Sequence, residues 1–86
     1  EALESYRGAV LKAGSQVESA FAALAGRREA LRAQEERLEA TTRALHRAEA
    51  ALRVGEISQD QLRGSVLAQV EAQAQAADAR AALARA

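Results

Sequence analysis

His46 is the one histidine in the sequence, the residue type most often used for acid–base chemistry. On a helix its neighbours would be Thr42, Arg43, Glu49 and Ala50. General acid–base chemistry needs a positioned partner in a concave site, and a single imidazole among scattered carboxylates lacks the repeated His or Cys spacing of a zinc centre. There is no Cys, which excludes disulfide scaffolds and thiolate metal sites. No catalytic residue, metal ligand or cofactor is expected, and the chain reads as non-enzymatic. Twelve Lys and Arg balance twelve Asp and Glu, and Phe21 and Tyr6 are the only aromatics. That combination disfavours nucleic acid, which asks for a cationic excess or for stacking rings. Between Arg27 and Arg53, seven Arg stand against Glu29, Glu35, Glu36, Glu39 and Glu49, the composition of a solvated face. Glu39 with Arg43 and Glu49 with Arg53 have the favourable acid-first order, adding about 0.2–0.5 kcal/mol each.

The elements carrying these residues follow from composition and period. The sequence has 86 residues, no Pro, and a hydrophobic fraction of 49 %. More than half of that fraction is Ala, so a compact globular core is not expected. Abundant Ala, Leu, Glu, Gln and Arg without Pro make long helix. Leu3, Val10, Val17, Leu24, Leu31, Leu38, Leu45 and Leu52 recur every seven residues. Three residues on run Tyr6, Ala13, Ala20, Arg27, Gln34, Thr41 and Ala48, a row of mostly smaller side chains. A strict heptad on an α-helix implies a left-handed supercoil with whatever packs against it. No apolar run reaches the ~18 residues of a membrane-spanning helix, and no signal-peptide pattern is present, so the segment reads as water-soluble.

The heptad stops at Val54-Gly55-Glu56-Ile57-Ser58. Gly55 can adopt the left-handed conformation that ends a helix. Ser58 and Gln61 form a capping-box pair, with Ile57 and Leu62 placed as a hydrophobic staple. The expected fold is all-α: a long antiparallel helical hairpin with helices over about 2–53 and 58–86 and a turn at 54–57. On the second helix Leu62, Val66 and Val70 form one stripe, passing into Ala72, Ala74, Ala76, Ala77, Ala79, Ala81, Ala82 and Ala84. Gln59, Gln61, Gln69, Gln73 and Gln75 give it a polar, uncharged face, suited to a water-filled lumen and equally to any exposed surface. Gly8, Gly14, Gly26 and Gly64 lie inside helices at ~1 kcal/mol each relative to Ala, marking local weakness, close backbone approach or mere tolerance. At ~1.5 Å per residue the helices are unequal, and Ala86 should come level with Arg27 or Gly26. Leu3, Tyr6, Val10, Val17 and Phe21 would then overhang, so the expectation is a fragment of a larger protein or an obligate oligomer.

These residues also carry a family resemblance. Tyr6-Arg7-x-x-Val10-Leu11-x-Ala13, followed by Val17-Glu18-Ser19-Ala20-Phe21 and Ala23-Leu24, resembles a signature of TolC-type outer-membrane efflux proteins. Val54-Gly55-x-x-Ser58 falls where that family carries its turn, at the separation of its second internal repeat. The resemblance implies one periplasmic hairpin of a trimeric α-barrel, part of an outer-membrane channel of Gram-negative cells that exports small molecules or ions. It implies that Val54, Gly55, Glu56, Ile57 and Ser58 dock onto a periplasmic adaptor (membrane-fusion) protein, with an inner-membrane pump as indirect partner. The positions where relatives place an acidic entrance ring hold Gln61 and Gly64 here, and Asp60 lies one residue out of that register. Those of the family's polar gate pairs hold Leu52 and Ile57. Two alternatives stay open. The adaptor's own hairpin has an Arg-x-x-x-Leu-(x)6-Ser tip; Arg47 to Ser58 matches its length, with Ala51 in place of the Leu. A purely structural coiled coil would be the other.

Overall fold

The computed structural model describes residues 2–85 and is an all-α helical hairpin. Helix α1 spans Ala2–Arg53 and helix α2 spans Gln59–Ala84. The molecule measures 80 × 15 × 14 Å, with a radius of gyration of 22.4 Å. A compact globule of this length would have roughly 12 Å. Neither helix is long and apolar enough to cross a membrane.

The two helices meet along the leucine heptad. Leu24, Leu31, Leu38, Leu45 and Leu52 are half-buried, as are Gln34, Thr41 and Ala48 from the companion row. Arg37 donates a hydrogen bond to Gln75, a pair that marks the register, and Arg80 reaches Glu35 at 3.5 Å from three residues out of it. On that register Leu38 lies level with Ala74, between Ala72 and Ala76, the only fully buried side chains among the described residues. A long side chain from α1 therefore faces methyl groups from α2, and the seam is narrow.

Three expectations need correction. The inward seam of α2 is not Leu62, Val66 and Val70: it runs through Leu62, Ser65, Gln69, Ala72, Ala76, Ala79 and Leu83. Steps of four residues drift about 40° each around a helix, whereas alternating steps of three and four hold one face. Val66 and Val70 are accordingly 41 % and 50 % exposed. The pairs Glu39–Arg43 and Glu49–Arg53 do not form; the ion pairs on the outer surface are Glu29–Arg32, Arg32–Glu36 and Asp60–Arg63. Lastly, Gly8, Gly14, Gly26 and Gly64 are not sites of close approach, because an added Cβ would meet nothing within 4 Å.

N-terminal to Leu24, α1 has no partner among the described residues. Leu3, Tyr6, Val10, Leu11, Val17 and Phe21 are each more than half exposed. Ala86, expected level with Arg27 or Gly26, lies outside the described residues.

Candidate docking tip

The turn is built from two interlocking end motifs. Gly55 takes φ +77°, a conformation that costs a residue with a Cβ roughly 1–2 kcal/mol. Its N–H donates to Leu52 O at 3.1 Å, and the Glu56 N–H donates to Ala51 O at 2.9 Å. That bond pair is a Schellman motif, which satisfies carbonyls left open at the end of α1. Two residues later the capping box closes: the Gln61 N–H donates to Ser58 Oγ at 3.2 Å, and the Ser58 N–H donates to Gln61 Oε1 at 2.8 Å. Ile57 and Leu62, flanking the cap, are both half-buried in the positions of a staple. The chain reverses within five residues, and its polar backbone groups are largely paired internally.

The five tip residues divide by exposure. Val54 is 71 % exposed at the extremity of the rod. Gly55, Glu56 and Ser58 are exposed beside it, whereas Ile57 turns partly inward and offers a partner less apolar area than its type implies. Ser58 Oγ is already engaged as the cap, so its hydroxyl is structural. Gln61 is likewise committed to the capping box, and Asp60 pairs with Arg63 at 3.2 Å. Leu52 and Ile57 are both half-buried.

Elsewhere the chemistry is sparse. His46 is exposed and makes none of the side-chain hydrogen bonds or ion pairs found among the described residues. No cluster of His, Cys, Asp and Glu among those residues could hold a metal ion. The Arg32 guanidinium, hydrogen-bonded to Glu29, holds that carboxyl below its ordinary range, and Glu29 and Glu36 push Arg32 up. Two shallow apolar shelves lie towards the N-terminal part of α1, one along Val17, Phe21 and Leu24, the other along Tyr6, Val10 and Leu11. Neither brings convergent polar groups together. A feature that the sequence reading missed is the outer face of α2, where Leu67 and Val70 stand exposed away from α1; their three-residue spacing was the available signal. Comparison of the chain with protein-family models, curated proteins and solved structures finds no match.

Proposed function

We propose that the chain is one hairpin of the periplasmic tunnel of a TolC-type outer-membrane efflux channel, and that its turn docks onto a periplasmic adaptor protein. The observation that carries this reading is the tip. Val54-Gly55-x-x-Ser58 forms the extremity of an 80 Å rod, held by a Schellman motif on one side and a capping box on the other. A docking surface at the end of a long lever must be preorganised, because ordering a loose loop on binding would consume affinity. Val54 supplies an exposed apolar contact, Gly55 an uncovered stretch of backbone and Glu56 a charge at the rim. The exposed apolar stretch of α1 suits a tunnel wall in which neighbouring helices cover it. Transport in this reading involves no chemistry in the chain itself: the hairpin contributes wall and contact, in the periplasm, as part of a trimer, with the pump reached through the adaptor.

The test is site-directed cross-linking in the assembled transporter. Cysteine goes at Val54 rather than at Ser58, since Ser58 caps α2. An adduct between Val54→Cys and a cysteine at the cognate adaptor's hairpin tip is expected. Absence of the adduct while the transporter still assembles would sink the docking role. An adduct with a channel turn instead would identify the chain as the adaptor's hairpin.

A further inference from the structure

The N-terminal stretch of α1 leaves large apolar groups in water: Leu3, Tyr6, Val10, Val17 and Phe21 are 52–69 % exposed. A contiguous run of such groups marks an interface. The area is available as well. A compact monomer of this mass would expose about 4,900 Å², whereas the hairpin exposes 6561 Å². The surplus is roughly twice the ~800 Å² that each partner contributes to a standard interface.

This stripe is continuous with the interface already formed inside the hairpin. Leu3, Val10 and Val17 extend, at the same seven-residue step, the row from Leu24 to Leu52 that α2 covers. A helix seated on the stripe therefore lies in line with α2. A parallel copy laid there would drive its own α1 into the place that α2 holds, whereas an antiparallel copy leads away from it. We infer that the occupant is the same stretch of a second copy of this chain, antiparallel, so that two hairpins join end to end with their tips at opposite extremities.

Side-chain size selects one register. Inside the hairpin Leu38 seats beside Ala72, and Leu31 beside Ala79. The same seating places Leu3 against Ala20 of the second copy, Val10 against Ala13 and Val17 against Tyr6, each rung occurring twice about a two-fold axis. A shift of seven residues towards α2 would bring Leu3 of the second copy to the place of Leu83. A shift of seven the other way would leave Val17 and Phe21 bare. On one flank Arg7 comes level with Glu18 of the second copy, and neither is engaged in an ion pair among the described residues. Phe21 of the second copy stands three residues out of level from Arg7, the offset at which Arg80 reaches Glu35, and a guanidinium is attracted to a ring face. The pairing goes beyond the channel reading and does not rest on it. A tunnel wall would cover the same face with other helices, so the dimer is the form of the chain outside a wall.

The test uses the 86-residue chain. Sedimentation over a dilution series should show a monomer–dimer equilibrium. Small-angle scattering should give the dimer a length of about 130 Å, because two 80 Å rods overlap over roughly 22 residues; side-by-side association would give about 80 Å. Mixing Leu3→Cys with Ala20→Cys and oxidising should yield the mixed disulfide. Each variant alone should stay unlinked, since like positions lie ~25 Å apart across the two-fold axis. Val10→Glu, which puts an unpaired charge into the contact, should weaken the dimer about tenfold or more, whereas Leu67→Glu, on the outer face of α2, should leave it unchanged. A chain that sediments as a monomer up to about 1 mM, a dimer 80 Å long, or disulfides between like cysteines in place of the mixed one would each overturn the inference. A 130 Å dimer without the Val54 adduct refutes tip docking alone; the adduct without the dimer refutes this pairing alone.

Discussion

Two glycines in the chain have opposite thermodynamic meanings, although each adds similar conformational entropy to the unfolded state. Gly55 sits at φ +77° in the turn, so Gly55→Ala gains a Cβ where one is disfavoured. Gly64 sits in the first turns of α2 with an ordinary helical backbone and open space around it. Gly55→Ala should destabilise the hairpin by about 1–2 kcal/mol, and Gly64→Ala should stabilise it by up to about 1 kcal/mol. Chemical denaturation followed by circular dichroism checks both, and equal signs would mean that the turn is not where the chain reverses. Ser58→Ala removes the capping oxygen from the Gln61 N–H and should cost about 1 kcal/mol. The Glu29–Arg32 pair sets a pH effect of known sign. Because the Glu29 carboxyl is held low in the folded state, its stabilising contribution is present above the ordinary carboxylate range and is lost as pH falls through the lowered pKa. The pair is fully exposed, so salt should erase this dependence, and an acid titration of helicity at low and high ionic strength would show it.

At the scale of the helices, the seam combines tight geometry with polar residues. Leu31 and Leu38 are met by alanines, and Gln34, Thr41, Ser65 and Gln69 share the same line. Gln34 Oε1 is buried without a hydrogen-bond partner, and an unpaired acceptor away from water costs free energy that an apolar side chain of similar size would not. Gln34→Leu should therefore stabilise the isolated hairpin by about 1 kcal/mol, read as a higher melting temperature; a lower one would show that the amide has a partner in solution. The leucine row was legible in the sequence because large residues stand out every seventh position against Ala and Arg. The seam of α2 was not. Where Ala fills every face the pattern has no contrast, so Leu62, Val66 and Val70 drew the stripe by size, while packing selected Ser65 and Gln69 by spacing. The tip was legible because a turn glycine, a capping box and a staple coincide within a few residues. Which surface ion pairs form was not, because several exposed i,i+3 and i,i+4 choices differ by only tenths of a kcal/mol.

For the molecule as a whole, the hairpin is a rod with unequal support along its length. From about Leu31 to Arg53, α1 is braced by α2; nearer its N-terminus it is held by its own backbone hydrogen bonds. An unbraced helical stretch of about 20 residues in water is marginal, because nucleation is costly and most helical stability comes from packing. Amide hydrogen exchange in the isolated chain should therefore be graded: fast from Leu3 to about Phe21, and slow from about Leu38 to Leu52. If that apolar stretch is covered by neighbouring helices in a wall, the same amides should become protected on assembly, with little change beside the already braced seam. Protection gained first at the tip would instead report adaptor docking, since Val54, Gly55, Glu56 and Ser58 are exposed there. Uniformly slow exchange along all of α1 in a dilute, monomeric chain would contradict the argument, because it would require a partner for Leu3, Val10 and Val17 that the hairpin itself does not supply.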